Sequence, residues 1–247
     1  MSTGIHLVMP MAGSGSRFYN QGYNIPKPLI EIKEKPFFYW ATESIRKFTA
    51  LKSLTFVVIR EHVDLFEIDK RILKYYPDAK IRVLNEVLNG ALLTSLEGVK
   101  GIDDSAPIVF NDCDHMFKCD SFYNYSNAGD YEALDGALLT FESNDPKFSF
   151  LLYNQAGNVI KTVEKQAISN DAICGAYYFK NREVLEHAAT EYLKVCDYKE
   201  FFMSGVYNIM ADEGKIIKGF RVNSHLAFGT PEEYEIAKDS DDFEGII

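Results

Sequence analysis

No run of 18 or more apolar residues occurs in the chain, so no segment has the length of a membrane-spanning helix. The opening residues, MSTGIHLVMPMAGSG, lack the charged start and apolar core of a secretory signal, and a cytoplasmic protein is expected. Paired cysteines are missing as well. Cys113, Cys119, Cys174 and Cys196 show no CxxC spacing, and no His stands at a zinc-ligand distance from two of them. This excludes a zinc cluster of the usual spacing and reads all four as small buried side chains. Positive charge is the last scarcity: 26 Lys and Arg face 36 Asp and Glu, a net charge of −10. Nucleic acid and anionic lipid both demand a basic surface, so neither is expected as a partner. A phosphate ligand must instead be met by a few cations in special loops.

The 247 residues suit one α/β domain, and at that length a single fold buries roughly 70–75% of the surface of its unfolded chain. A hydrophobic content of 47% is ordinary, and no linker, repeat or low-complexity tract divides the chain. Apolar runs alternate with amphipathic segments. Strands are predicted at Ile5–Pro10, Leu54–Ile59, Ile81–Leu84 and Pro107–Phe110. Helices are predicted at Phe37–Phe48, Val63–Tyr75 and Ala91–Val99. This βαβαβ order predicts a mostly parallel sheet with helices on both faces. The second half differs: strands at Gly136–Phe141, Phe148–Tyr153, Val159–Val163 and Ile173–Phe179 extend one edge, the middle two joined by a turn at Asn154–Gly157. A helix from Arg182 to Cys196 follows, and the acidic tail KDSDDFEGII reads as a loose, solvated end. Nothing in the sequence fixes the oligomeric state.

The loop after the first strand carries the most chemistry. In PMAGSGSRFYNQGYNIPKPLIEI, Gly13 and Gly15 stand at the carboxyl end of a parallel strand, where α/β sheets bind phosphates. There they let backbone N–H groups approach an anion. A P-loop is excluded, because no Lys follows either glycine in GxxxxGK[ST] spacing. A dinucleotide fingerprint is excluded too: Phe18 occupies the place of its third glycine. Gly22 and Pro26 are expected to keep the loop from opening directly into a helix. Arg17 lies two residues past Gly15, and Lys27 sits between Pro26 and Pro28. Two prolines predict a locally extended chain that aims the Lys side chain. In an acidic protein, a glycine loop with one Arg and one rigidly mounted Lys reads as a triphosphate cradle, against a bland surface turn and an ordinary solvated lysine.

GSGSRF followed by PKPLI resembles the G-x-G-x-R-F … P-K-P-L signature of the sugar-phosphate nucleotidylyltransferases. The resemblance implies a three-layer Rossmann-like nucleotidyltransferase fold with a mostly parallel mixed sheet. It divides the 1–247 domain into a nucleotide-binding part, about 1–115, and an acceptor-binding part, about 116–238. It implies catalytic roles for Arg17, on the NTP phosphates, and for Lys27, on the charge developing at the α-phosphate. Met11, Ala12, Gly13, Ser14, Gly15, Asn85, Gly90 and Ala91 then become nucleotide-binding residues. Without the resemblance, Gly90 reads equally well as a glycine at a helix start.

Further matches follow along the chain. Asn111-Asp112-Cys113-Asp114 closes a buried strand, where carboxylates suit Mg²⁺. CDHMF resembles the family's metal element, which makes Asp114 the first ligand and Asp112 the second, although Asp112 also reads as a turn or capping residue. His115 beside them reads as a pocket wall, because Mg²⁺ favours oxygen. Glu164-Lys165 resembles the family's acceptor-binding pair, against a plain surface salt bridge. CGAYYF resembles its acceptor strand, with Gly175 and Tyr177, and FGTPEE its closing motif. The family's second metal Asp is replaced by Ala227, so Mg²⁺ has fewer protein ligands or another residue, such as Asn223, substitutes.

The resemblance implies transfer of a nucleoside monophosphate from an Mg-bound NTP to a small phosphorylated acceptor, with loss of pyrophosphate. NDCDHMF, EKQ, the segment Tyr198–Asn208 and FGTPEEY resemble capsule-associated members. Among these are CTP:phosphoglutamine cytidylyltransferases, so CTP and phosphoglutamine are the expected substrates, with a sugar 1-phosphate as the alternative acceptor. Glu164, Tyr177 and Tyr207 are the expected readers of the acceptor beyond its phosphate. Two other classes remain. A glycosyltransferase could use Asp112-Cys113-Asp114 as its DxD, but leaves Arg17 and Lys27 without a role. A nucleotide sensor would share the fold without the chemistry.

Overall fold

The computed structural model describes residues 4–102, 105–129 and 131–246. Its first strand, β1 (Ile5–Pro10), is buried on both faces and apolar but for His6, as suits a strand covered on both sides. Ile5, Leu7 and Met9 enter one core and Val8 the other. A single helical turn, α1 (Ser16–Tyr19), and a short ribbon of β2 (Glu31–Ile32) and β3 (Lys35–Pro36) lead into α2 (Phe37–Arg46). Then come β4 (Leu51–Ile59), α3 (Arg60–Phe66), α4 (Ile68–Tyr75) and β5 (Lys80–Leu84). α5 (Ala91–Gly98) carries the chain back to β6 (Ile108–Asn111), on the other flank of β1. These strands pair in parallel in the order β5-β4-β1-β6. The winding therefore reverses between β1 and β6, and open α/β sheets bind ligands in the crevice outside such a point.

The second half extends the β6 flank. It runs β7 (His115–Lys118), α6 (Asp120–Ala128), β8 (Gly136–Glu142), β9 (Ser149–Tyr153), β10 (Val159–Glu164) and β11 (Asp171–Phe179). Next come α7 (Arg182–Val195), α8 (Met203–Asp212), β12 (Ile217–Arg221), β13 (Ser224–Ala227) and α9 (Pro231–Lys238). β11 lies antiparallel to β6 and carries β8 and β9 on its other side, giving one nine-stranded mixed sheet. The fold is the three-layer α/β arrangement expected: α2, α4 and α6 supply one core layer, and α5, α7 and α8 the other. The Asn154–Gly157 turn forms as predicted, with the Asn154 carboxamide accepting from the N–H groups of Ala156 and Asn158. At the outer edge, the Asn208 side chain of α8 accepts from Thr162 N (2.7 Å) and donates to Thr162 O (3.1 Å) on β10.

Four expectations change. The helix foreseen at Val63–Tyr75 is two helices, broken at Glu67, whose φ of 51° lies in the left-handed region. Gly15, at φ 61°, caps α1, so the glycine loop does open into a helix, if only for one turn. Lys27 begins a 3-10 turn, Lys27–Leu29, rather than an extended stretch. The acidic tail is docked: Phe243 packs on Trp40 at 4.5 Å between ring centroids, and Lys47 Nζ donates to Ile246 O at 3.0 Å. Trp40 needs an apolar cover, and two apolar residues among the acids, Phe243 and Ile246, supply it. No described helix is long and apolar enough to cross a membrane.

Candidate active site

A cavity of about 520 Å³ opens at the crevice where the winding reverses. The loop after β1 supplies Met11, Ala12, Gly13, Ser14, Gly15 and Arg17, and the 3-10 turn supplies Lys27. The segment before α5 adds Gly90 and Ala91, and the end of β6 adds Asp112, Cys113 and Asp114. Gly13 faces open space, so backbone there can meet a ligand directly. A Cβ on Gly15 would stand 3.3 Å from Lys27 Cβ, so the glycine loop and the lysine turn lie against each other. Asn85 is exposed and stands outside the lining; Val87, Leu88 and Asn89 take its place.

Charge in the cavity is concentrated on few groups. Arg17 and Lys27 are the only cations in the lining among the described residues. Lys27 Nζ donates to Asp114 Oδ2 at 2.8 Å, and each side chain keeps about a quarter of its surface exposed. Burial works against the Lys27 charge, but the Asp114 carboxylate outweighs it and holds the ammonium well above its ordinary pKa. Burial likewise opposes ionisation of Asp114, yet Lys27 draws its pKa down to about 2. Asp112 has no such partner, and burial followed by the Asp114 charge pushes it up to about 7. Burial lifts the Cys113 thiol to about 12, which excludes a thiolate nucleophile.

Glycines hold the two carboxylates in place. Gly175 has φ 95° in an irregular stretch of β11, and its carbonyl accepts from Asp112 N at 3.0 Å. A Cβ on it would lie 2.8 Å from Asp112 Oδ2. On the other side, the β7–β13 ribbon carries the closing motif to the site, and Phe228 N donates to Asp114 O at 2.9 Å. A Cβ on Gly229 would lie 2.5 Å from Asp114 Oδ2. Thr230 and Glu233 form a reciprocal capping box that starts α9 there.

These two carboxylates fit a divalent cation. They leave one strand end together and raise the cost of each other's charge, which a cation between them would relieve. Mg²⁺ takes one or two carboxylates and completes its octahedron with phosphate oxygens and water. Among the described residues no group of three or more His, Cys, Asp or Glu is placed for a metal. Asn223 does not substitute for the missing Asp: its Oδ1 accepts from Asp120 N at 2.7 Å, at the start of α6.

A second cavity, about 470 Å³, adjoins the first and shares Arg17, Ala91, Asp112 and Asp114 with it. Glu164, Gly175 and Tyr177 line it, as the family resemblance implies for an acceptor site. Glu164 is held by hydrogen bonds from the Ser149 hydroxyl, at 2.6 Å, and from the Ser204 hydroxyl. Lys165 does not line this cavity. It is exposed, with φ 55°, and its Nζ lies 5.2 Å above the Phe202 ring at the rim. Besides the shared Arg17, the cation that lines it is Lys147, paired with Glu233 Oε1 at 2.9 Å and missed in the sequence. Pro146-Lys147 repeats the proline mounting of Pro26-Lys27, which is the signal that could have found it. Tyr207, expected beside Glu164 and Tyr177, does not line this cavity: it is buried, and its hydroxyl donates to Tyr178 O at 2.9 Å and Ala137 O at 3.1 Å.

His115 and His225 complete the wall, with ring centroids 5.5 Å apart. Both nitrogens of His115 and Nε2 of His225 have no hydrogen-bond partner among the described residues. Burial depresses His115 to about 4; burial, then the neighbouring His115, depresses His225 to about 3. Both rings are neutral at pH 7.

No family model and no curated protein matches the chain. Solved structures do. The chain is similar to a nucleoside-diphosphate-sugar pyrophosphorylase from Vibrio cholerae RC9, with a TM-score of 0.82 and 23% identity over 95% of this chain and 100% of that one. It is also similar to the inositol-1-phosphate CTP transferase from T. maritima, with a TM-score of 0.75 and 15% identity over 96% and 95% of the two chains. At these identities the likeness establishes the fold over nearly its whole length.

Proposed function

We propose that the chain is a nucleotidylyltransferase of the sugar-phosphate type, which moves a nucleoside monophosphate from an NTP to a small phosphorylated acceptor. One observation carries the reading: two cavities meet at Arg17, Asp112 and Asp114, with Lys27 fixed to Asp114 at the junction. A triphosphate in the first cavity would present its α-phosphorus where an acceptor phosphate in the second could attack. The names of the two structural neighbours describe this kind of chemistry. In this reading residues of about 1–115 serve the nucleotide and those of about 116–238 the acceptor.

The acceptor phosphate, with a second pKa of about 6, is largely ionised at pH 7 and needs no general base. Its oxygen forms a bond to the α-phosphorus while the bond to the bridging β-phosphate oxygen breaks, and pyrophosphate leaves with that electron pair. Arg17 and the loop amides hold the departing phosphates, and Lys27 meets charge at the α-phosphate. Mg²⁺ held by Asp114 and Asp112 would supply charge neutralisation and orientation to phosphate oxygens. A glycosyltransferase reading of Asp112 and Asp114 gives Arg17 and Lys27 nothing to do.

The finer reading is CMP transfer from CTP to phosphoglutamine. Its support is Glu164, a carboxylate fixed by two serines in the acceptor cavity, where an amino-acid ammonium would pair with it. A sugar 1-phosphate is favoured instead by the aromatic walls Phe148, Tyr177 and Phe202. Pyrophosphate release with four NTPs against phosphoglutamine and hexose 1-phosphates decides. No release with any pair rejects the transferase. Faster release from UTP or dTTP with a hexose 1-phosphate rejects phosphoglutamine alone.

A further inference from the structure

An unpaired carboxylate stands in the wall of a cavity otherwise equipped for a polyanion. Glu200 lines the 520 Å³ cavity, and its side chain has no hydrogen bond or ion pair among the described residues. Backbone contacts fix its place. Phe201 N donates to Asn89 O at 3.4 Å, and Leu92 N donates to Phe201 O at 3.1 Å. Gly90, at φ 98°, lies so close that a Cβ would stand 2.5 Å from Phe201 O. The segment carrying Glu200 is thus fastened to the turn before α5, and both belong to one wall.

Among the described residues of that wall, none that lines the cavity is a cation. Arg17 and Lys27 both come from other segments, the loop after β1 and the 3-10 turn. A triphosphate drawn to those cations leaves its base to Leu88, Asn89 and Glu200. Near the phosphates a free carboxylate would repel the ligand; at the base it can read an edge.

We propose that Glu200 selects the base, favouring a nucleotide whose base carries an exocyclic amine, so cytosine over uracil or thymine among pyrimidines. The inference rests on the nucleotidyl-transfer reading above. An ionised carboxylate only accepts hydrogen bonds. The N4 amine of cytosine donates one, whereas uracil and thymine present the O4 acceptor at that position, and two acceptors repel. Glu200 is exposed, so water competes and the discrimination is about tenfold, well below that of a fully buried reader.

Calorimetric titration of the full chain with the Mg²⁺ complexes of CTP, UTP, dTTP and ATP tests this, for the wild type, Glu200→Gln and Glu200→Ala. Pyrophosphate release is followed in parallel. Wild-type protein should bind CTP about tenfold more tightly than UTP, in line with one charge-assisted hydrogen bond. Glu200→Gln can donate to O4 and should bring the ratio near one. Glu200→Ala should lose CTP affinity and keep that for UTP. The Glu200 side chain holds nothing in the fold, and unfolding temperatures of the variants check that both remain intact. Wild-type protein that binds UTP or dTTP as tightly as CTP overturns the assignment. Equal weakening of both nucleotides in Glu200→Ala also overturns it, since the segment then only shapes the wall. If pyrophosphate is released while the base ratio ignores Glu200, the base assignment fails alone. If no nucleotide binds and no pyrophosphate appears, the transfer reading fails and takes this one with it.

Discussion

Replacing Gly229 with alanine would set a methyl carbon 2.5 Å from Asp114 Oδ2 and 3.1 Å from its Cγ. Ordinary contact begins near 3.4 Å, so the carboxylate oxygen must retreat by about 0.9 Å. It cannot do so freely, because the same oxygen accepts the 2.8 Å bond from Lys27. Gly229 has no positive φ, so the substitution tests space and not backbone strain. Overpacking of this kind costs about 1–3 kcal/mol. In a domain of this size that lowers the melting temperature by several degrees. A misplacement of about 1 Å can cost roughly 10²-fold in rate. Gly229→Ala should therefore cut pyrophosphate release about 10²-fold in a protein that still unfolds cooperatively. Single-turnover rates in the Asp114→Ala background complete the test. If Gly229 acts through Asp114, alanine at 229 adds little there, and the two effects are not additive. Wild-type turnover in Gly229→Ala refutes the reasoning, and so does a full further 10²-fold loss in the double variant.

Other outcomes follow from the same geometry. Lys27→Ala should lower kcat by roughly 10²-fold or more; an unchanged kcat with a higher KM would show that it only binds the triphosphate. Asp114→Asn should lose most Mg²⁺-dependent turnover while remaining folded, and near-normal turnover rejects it as a metal ligand. Lys147 lines the second cavity and Lys165 only its rim, so, if an acceptor binds there, Lys147→Ala should raise its KM more, by about tenfold; the reverse order makes Lys165 the phosphate cation. His115 and His225 are neutral when folded and bind protons more readily when unfolded, so the unfolded chain holds more protons below pH 6.5. Stability should be indifferent to these rings above that pH and fall from there through about pH 4. His115 alone contributes roughly 3 kcal/mol to that fall at about 1.4 kcal/mol per tenfold change in proton affinity. His115→Phe should flatten the denaturation midpoint against pH, and an unchanged slope would refute the buried, neutral ring.

What the sequence made legible was whatever is written locally. IHLVMP followed by GSGSR, and PIVF followed by NDCD, announce strand ends with polar loops, and the fold sets those ends side by side. Lys27 and Asp114 could each be named from their own neighbours, but their 2.8 Å contact spans 87 positions and no local pattern records it. Glu200 and His225 went unseen for the same reason, since only the packing of distant segments brings them to a cavity. α8 was missed because MSGVYNIMAD carries Gly205 and β-branched residues. That glycine lets the helix approach α7, where a Cβ would lie 2.3 Å from Tyr192 Cζ, so packing decides against propensity. Lys165 stands at the rim with φ 55°, and charge in a motif says nothing about where the backbone carries it.

The Asn208 carboxamide bears on how molecules of this protein meet one another. A sheet that does not close ends in strands whose free N–H and C=O groups can template a neighbour. At Thr162 the carboxamide supplies one donor and one acceptor, as a further strand would, so the middle of β10 has nothing left to offer another chain. The opposite end of the sheet, β5, displays the exposed charges of Lys80 and Arg82 instead. One end of the main strand order is thus closed by imitation and the other by charge, two ways of denying a neighbouring chain a strand to pair with.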